Sequence, residues 1–318
     1  MDQLSALMKV LDDVTKRTRK KKWPCFYPDC NQRSTMSHSQ TRSTSLRNIA
    51  EENGHVMQRN FNSLPPRPRP GWTKIGIGKA TRFPGFCKQH DNALFKQADS
   101  VGQHNITPKA LSLLSFRTFA LEMRKKEIYA DQSKRMLIHK DNFIDPTAAE
   151  YIEGTMEGMK NCLRVTKPYH LNRYHRLIKS KDYAQMRHKI FISDTNLGVS
   201  CSTAVNPLYI GQYPLDKPQP LLSFNVLPRR GYTIVVFSYF MEHIPQMEDF
   251  ITKFQRLEDV VFNFCEEVTL RISLFQTLDA NTLDIIDRAQ ATWVNWEPTE
   301  VPNIFKFVHE KETLLAEV

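Results

Sequence analysis

The chain has 318 residues, of which 41% are hydrophobic and 10% aromatic, the composition of a globular protein with an apolar core. It contains no apolar run near the ~20 residues that a membrane-spanning helix needs, and acids precede the basic run in residues 1–22, unlike a secretory signal. Of its 44 Lys+Arg and 34 Asp+Glu, residues 1–100 hold 18 and 8, which leaves 26 of each for residues 101–318. The net charge of +10 therefore lies in the N-terminal third, which we expect to contact nucleic acid or another polyanion.

The first elements are predicted from apolar spacing and turn residues. Residues 3–20 are predicted to form an amphipathic helix that ends in a basic run. Residues 37–52 also show helical spacing of apolar residues and end at an Asn-Gly cap. Four prolines in residues 64–71 predict an extended loop, and residues 72–77 are predicted to form a short strand.

Four residues of this region form a candidate metal site. Cys25 and Cys30 flank a tight turn that contains proline, and Cys87 and His90 form a C-x-x-H step at the start of a helix-like stretch. Zinc prefers four tetrahedral Cys and His ligands, and a closed set of this kind is usually structural. We predict that the four residues bind Zn²⁺ in a treble-clef-like module; unconnected buried thiols are the alternative. Zinc binding is expected to couple to the folding of residues 21–100 and to spare the rest of the chain.

The C-terminal two-thirds are predicted to contain helices and one antiparallel sheet. A long helix begins at the Thr107-Pro108 cap, and a second begins near Pro146. Four strand-like segments follow, and the last two are joined by a short turn as a hairpin; the segments are residues 189–193, 199–203, 221–226 and 232–239. The chain then returns to helical patterns over residues 247–257, 260–274 and 281–293.

These elements predict an α+β fold with a treble-clef-like zinc module, a helical region, a small antiparallel sheet and C-terminal helices. The predicted divisions are a basic arm over 1–22, a zinc-binding module over 23–104 and an α+β domain over 105–318, with helices in 107–187, strands in 189–240 and helices in 246–318. Cys162, Cys201 and Cys265 are interpreted as isolated core residues, and the few cysteines suit a reducing cytoplasm.

The basic residues of the N-terminal third are the candidate contacts to nucleic acid. They are spread over the module, Arg59 included, rather than confined to the run at residues 16–22. The residues that we predict to bind phosphate groups are Lys20, Lys21, Lys22, Arg33, Arg42, Arg47, Arg67, Arg69, Lys74, Lys79 and Arg82. The alternatives are a solvated basic face and a surface for an acidic protein partner.

Residues 23–96 carry a resemblance to a known group. The C-x4-C pair, Ser-His-Ser-Gln at 37–40, residues 49–56, and residues 85–91 with the following Leu94-Phe95 resemble bacterial proteins of uncharacterised function. Their N-terminal zinc region is similar to, but degenerate from, HNH endonuclease modules. The resemblance implies zinc on the four Cys and His residues and is associated with defence against phage. Ser37 stands where HNH modules carry an acidic residue, and no Asn lies shortly before Cys87.

The same resemblance implies catalytic roles for two residues. His38, eight residues after Cys30, would be the general base, and Asp91, next to His90, would be a ligand of a catalytic Mg²⁺ or Mn²⁺. The alternatives are that His38 caps the following helix or serves as a zinc ligand.

Overall fold

The computed structural model describes residues 3–60, 71–102, 105–139, 146–206, 216–253, 256–292 and 300–305, and it has an α+β fold. The α-helices are α1 Gln3–Lys20, α2 Lys88–Asp99, α3 Pro108–Leu137, α4 Pro146–Asn161, α5 Lys167–Ser180, α6 Ile244–Lys253, α7 Leu257–Phe264, α8 Ile272–Gln276 and α9 Ala280–Thr292. The strands are β1 Met36–His38, β2 His55–Asn60, β3 Gly71–Gly76, β4 Arg82–Pro84, β5 Met186–Ser193, β6 Val199–Val205, β7 Leu222–Pro228, β8 Thr233–Phe240 and β9 Val268–Leu270. Within the described residues, no helix is both long and apolar enough to cross a bilayer.

Several predicted elements are confirmed. Helix α3 begins after Thr107, whose hydroxyl oxygen accepts a hydrogen bond from the backbone N–H of Ala110 at 3.2 Å. The predicted hairpin is formed by β7 and β8, which pair antiparallel from Ser223–Ser238 to Pro228–Thr233. The predicted loop over residues 64–71 lies outside the described residues except for Gly71, which begins β3.

The central sheet is larger than the sequence predicts. It has seven antiparallel strands in the order β3-β2-β9-β6-β7-β8-β5, and β1 and β4 form a separate two-stranded sheet. Strands β2 and β3 come from the N-terminal third, so the sheet includes strands from both sides of the division predicted at residue 104. The helix predicted over 260–274 is wrong, because it is interrupted by β9, which is buried between β2 and β6. Three residues are too few for a strand period to appear in the sequence.

The helix predicted over residues 37–52 is also wrong. The segment contains β1, a series of turns and one 3₁₀ turn at Leu46–Asn48. Thr41 donates its hydroxyl to Asp99 Oδ1 at 2.8 Å, and Thr44 donates to the Asp99 carbonyl at 2.7 Å. Hydrogen bonds made by Thr side chains compete with the backbone hydrogen bonds that a helix would need. Leu46 remains fully buried, but in a small cluster with Val56 and Ala80 rather than along a helix face.

Both faces of the central sheet are covered. Alternate residues of β8 point to opposite sides: Ile234 packs in a core with α2, α3 and α5, whereas Val235 packs in a core with α6, α7 and α9. Residues 110–125 of α3 are all buried, so this helix lies in the middle of the molecule. The first core also includes Cys25 and Cys87, and therefore the predicted metal ligands belong to the same apolar cluster as α3.

Candidate metal centre and the adjoining basic surface

The four predicted ligands lie together. The ligand atoms of Cys25, Cys30, Cys87 and His90 are all within 4.8 Å of one another, a geometry that can hold a metal ion. His90 Nδ1 lies 3.2 Å from the Cys87 Sγ and 3.6 Å from the Cys25 Sγ, and the Sγ atoms of Cys30 and Cys87 are 3.9 Å apart. In the part of the chain that the structure describes, this is the one group of three or more Cys, His, Asp or Glu residues with such a geometry.

A tight turn presents Cys25 and Cys30. The turn is closed by a bridge between Pro24 and Arg33 and by a hydrogen bond from the Cys25 N–H to the Gln32 carbonyl at 3.1 Å. Asp29, just before Cys30, has a φ of 55°, a left-handed conformation that a short polar side chain tolerates. The local sequence therefore folds the chain back so that both thiols are near the same point.

The start of α2 presents the other two ligands. Cys87 is the N-cap residue, and its carbonyl accepts the Asp91 N–H at 2.9 Å, which places His90 in the first turn. Gly85 precedes this turn, and a Cβ atom there would lie 2.5 Å from the buried Phe83 ring. The Gly85 carbonyl accepts the Phe26 N–H at 3.1 Å, and this bond connects the Cys25–Cys30 turn to the segment that leads into α2.

The electrostatics of the four groups suit a bound cation. Burial raises the pKa of the Cys25 thiol to about 12, although its sulfur accepts the backbone N–H groups of Cys87 at 3.2 Å and Tyr27 at 3.4 Å. Burial also opposes ionisation of Cys87, but the backbone N–H of His90 and the Cys25 and Cys30 thiols lower its pKa overall. Burial lowers the pKa of His90, which keeps its imidazole neutral. A positive ion would replace the thiol protons, because cysteine binds metals as the thiolate and histidine as the neutral imidazole.

Tyr27 packs against the histidine of the cluster. Its ring stacks on the His90 imidazole with a centroid distance of 3.8 Å and an interplanar angle of 21°. Tyr27 lies inside the Cys25–Cys30 turn, so the turn supplies both two ligands and the support for a third. The sequence does not indicate this contact, because an aromatic residue between two cysteines has no spacing that points to a partner 63 residues away.

His38 lies on the small sheet of β1 and β4. It is half-buried opposite Arg82, and its Nδ1 is 3.0 Å from the Ala80 carbonyl oxygen. Burial lowers the pKa of His38, and the positive charges of Arg82, Arg42 and Arg117 lower it further, so the imidazole is neutral at pH 7. His38 caps no helix, because the segment that follows it is not helical.

Asp91 lies on α2 behind β1. Burial raises the pKa of its carboxyl group, against the opposing effects of Arg117 and of a hydrogen bond with Ser37. Its Oδ1 is buried and has no hydrogen-bond partner among the described residues. His38 and Asp91 are not members of the cluster formed by the three cysteines and His90.

Thr81 has an unusual backbone conformation next to the residue that contacts His38. Its φ is 55°, in the left-handed region, where a β-branched residue is strained by about 1–3 kcal/mol. Its N–H donates to Gln58 Oε1 at 3.0 Å, and its hydroxyl donates to the Gln40 carbonyl at 3.5 Å. No sequence signal indicates this arrangement, since Thr81 and Gln58 are brought together by the fold.

The structure places most of the predicted basic residues on the surface. Those that are exposed are Lys20, Lys21, Lys22, Arg33, Arg42, Arg47, Lys74, Lys79 and Arg82. Lys21 also forms an ion pair with Asp131 at 2.6 Å. Arg67 and Arg69 lie outside the described residues.

Arg59 is not part of this surface. It is fully buried, and its guanidinium group donates to the backbone carbonyls of Ile286 at 3.2 Å, Phe262 at 3.4 Å and Cys265 at 2.6 Å. Burial lowers its pKa to about 10. Cys201 and Cys265 are buried as predicted, but they are in contact with each other rather than isolated.

Comparison with protein-family models, with curated proteins and with solved structures finds no match to this chain. The function is therefore inferred from the residues and their geometry.

Proposed function

We propose that Cys25, Cys30, Cys87 and His90 bind one structural Zn²⁺, and that the exposed cations around the β1–β4 sheet bind nucleic acid. We call the outer face of this sheet, formed by Met36, His38, Arg82 and Pro84, the β1–β4 face. The observation that carries the proposal is the position of the β1–β4 face, whose strand β4 leads directly into the start of α2 that bears Cys87 and His90.

The donor set supports zinc and a structural role. Three thiolates and one imidazole are soft and borderline ligands, which favour Zn²⁺ over Mg²⁺ or Ca²⁺. Four protein ligands fill a tetrahedral shell, so no position remains for a substrate or a reactive water. The order of a ligand-bearing turn, a two-stranded antiparallel sheet and a ligand-bearing helix start is that of treble-clef modules, which also supports this assignment.

The β1–β4 face has the charge that a nucleic-acid surface needs. Its inner residues Ser37 and Phe83 are buried, whereas Arg82 is exposed on the outer side beside His38. Arg42 is also exposed, and its charge reaches His38 as that of Arg82 does. The backbone N–H of Thr35 donates to the Phe86 carbonyl at 2.7 Å, so the face is attached rigidly to the metal centre. Neither Arg42 nor Arg82 forms an ion pair with a described residue, and phosphate groups would supply the missing negative charges.

The double variant Arg42→Gln and Arg82→Gln tests this surface. We expect weaker binding to random-sequence DNA and RNA, and a dependence of log K on log salt that is shallower by about 2, because each lost phosphate contact releases about one fewer counterion. The measurement is fluorescence anisotropy over a series of salt concentrations.

The matched control is the double variant Lys160→Gln and Lys217→Gln, which removes two positive charges from the neutral region of residues 101–318. Both lysines are exposed in the native protein. The control should bind as the native protein does. Equal salt slopes for both double variants would contradict the assignment. Binding to an acidic protein without any binding to nucleic acid would favour the protein-partner alternative.

A metal-dependent nuclease is the second candidate, and the hydrogen bond of His38 favours it. A carbonyl oxygen only accepts, so His38 Nδ1 must donate to Ala80, which leaves Nε2 as the acceptor in a neutral ring. A general base needs such a nitrogen to take a proton from water. Asp91 Oδ1 is buried and has no hydrogen-bond partner in the described part of the chain, so it would suit a ligand for Mg²⁺ or Mn²⁺, which would supply positive charge at the scissile phosphate.

His38→Ala tests the nuclease proposal. We expect plasmid nicking with Mg²⁺ or Mn²⁺ to fall by about 10²–10⁴-fold, the contribution of a general base. His55→Ala is the control, because His55 lies on β2 and its imidazole contacts Asn53, two residues before it in the chain. Equal nicking by the native protein and His38→Ala would end the nuclease proposal without affecting that of nucleic-acid binding.

A further inference from the structure

We infer that Gln58, Gln40 and the strained Thr81 are positioning residues that hold the Ala80 carbonyl against His38 and thereby fix the imidazole with its proton on Nδ1. For catalysis this inference rests on the proposed role of His38 as a base. The arrangement itself is a property of the fold and is testable without any activity.

The argument begins with the peptide unit between Ala80 and Thr81. A trans peptide is planar, so its C=O and N–H groups point in opposite directions. The Thr81 N–H donates to Gln58 Oε1 at 3.0 Å, and the Ala80 carbonyl lies 3.0 Å from His38 Nδ1. Gln58 holds the Thr81 N–H group. Because the peptide is planar, this bond also sets the direction of the Ala80 carbonyl on the opposite side.

The strain at Thr81 shows that this orientation is imposed by its surroundings. A β-branched residue at a φ of 55° does not hold that conformation by itself, and glycine would be the ordinary choice. Three bonds hold it: the N–H bond to Gln58, the hydroxyl bond to the Gln40 carbonyl, and a bond from the Ser39 N–H to the Thr81 carbonyl at 2.9 Å. Strained residues that persist in this way cluster at functional sites.

The two glutamines transmit support from the central sheet. Gln58 lies within β2, and Gln40 is almost fully buried against β6. Gln40 Nε2 donates to the Cys201 carbonyl at 2.7 Å, and the Ser200 hydroxyl donates to Gln40 Oε1 at 3.0 Å. Most strands of this sheet come from the neutral two-thirds of the chain. Through Gln58 and Gln40, the sheet therefore supports the peptide group that contacts His38.

The positive charges around His38 favour a neutral ring. Arg82 of β4, Arg42 of the segment after β1 and Arg117 of α3 all oppose a positive charge on the ring. The ring is then neutral with one proton, and the carbonyl of Ala80 assigns that proton to Nδ1. Nε2 is left as a fixed acceptor, which is what a base or a hydrogen-bonding contact to a bound hydroxyl requires.

The experiment is ¹⁵N NMR of the histidine rings in the full chain, with the His38 signals assigned by their absence in His38→Gln. In the native protein we expect a protonated Nδ1 and an unprotonated Nε2. Gln58→Leu removes the acceptor for the Thr81 N–H, so His38 should shift to the Nε2-protonated form that histidine favours in water. Gln58→Glu retains an acceptor and should keep the native tautomer.

A second-site variant separates positioning from general damage. Glycine adopts a positive φ without strain, so the pair Gln58→Leu and Thr81→Gly should recover the Nδ1-protonated form. Ser115→Ala is the matched control, because the buried Ser115 hydroxyl bonds to the Tyr174 hydroxyl at 2.7 Å, a partner outside the set of Gln58, Gln40 and Thr81. It should reduce stability and leave the His38 tautomer unchanged.

Two outcomes overturn the inference: an Nε2-protonated His38 in the native protein, or an unchanged tautomer in Gln58→Leu. If Gln58→Leu does not fold, Gln58→Met takes its place, since it keeps the length of the side chain and has no carbonyl. A tautomer that shifts as expected in a protein that never cleaves DNA would support the positioning inference and contradict the nuclease proposal alone.

Discussion

Replacing Cys87 with serine is expected to remove the bound metal and to lower the free energy of unfolding by about 4 kcal/mol when free Zn²⁺ is at a thousand times its dissociation constant. The reason is mass action, because an ion that binds only the folded chain stabilises it. Serine is a suitable replacement at this position. Cys87 is the N-cap residue of α2 and makes no side-chain capping bond, and serine is a favoured N-cap residue. The substitution therefore tests the metal ligand without harming the start of the helix.

The structure predicts that loss of the metal destabilises more of the chain than the sequence indicates. The sequence predicts that the loss stays within residues 21–100. However, Cys25, Cys87, Phe86 and Phe95 share one apolar cluster with Phe116 of α3, and the Phe86 and Phe116 ring centroids are 5.4 Å apart. We therefore expect the packing around the middle of α3 to loosen as well, which hydrogen exchange would detect as faster exchange in α2 and α3.

Metal content and urea unfolding measure the effect of Cys87→Ser. Cys162→Ser is the control, because Cys162 is half-buried and does not belong to the metal cluster. The control should keep one zinc ion per chain and nearly native stability. A Cys87→Ser protein that retains one tightly bound zinc ion would refute the ligand assignment.

Replacing Arg59 with methionine is expected to lower the free energy of unfolding by about 3 kcal/mol. Each buried acceptor left without a donor costs about 1–3 kcal/mol, and Arg59 donates to three backbone carbonyls, those of Ile286, Phe262 and Cys265. The guanidinium group also lies 5.4 Å from the Phe262 ring centroid. Part of the lost stability is recovered, because methionine carries no charge and its burial avoids the cost of desolvating a guanidinium group.

Arg47→Met is the control for Arg59→Met. Arg47 is an exposed arginine in the same third of the chain, and its replacement should change stability by no more than about 0.5 kcal/mol. Urea unfolding compares the two variants. If Arg59→Met is as stable as Arg47→Met, the three carbonyl contacts of Arg59 do not contribute to the stability of the fold. Both variants lower the net charge equally, so an effect of overall charge on stability cancels.

Local features of the sequence were sufficient to locate the candidate metal centre. Cys25 and Cys30 are joined by one turn, and Cys87 and His90 by the first turn of a helix, so proline, glycine and short spacing indicate both halves of the site. The cap at Thr107 and the hairpin of β7 and β8 were predictable for the same reason, because each depends on residues a few positions apart.

The tertiary structure alone decided how distant segments combine. Strand β9 pairs with β2 and β6, and Arg59 is buried among carbonyls more than 200 residues away in the chain. Likewise, nothing near Thr81 in the sequence indicates that Gln58 holds its N–H. Periodicity and turn residues report how a segment bends and which side is apolar. They do not name the partner, since a buried charge and a strained backbone are stabilised only by groups that folding brings from elsewhere.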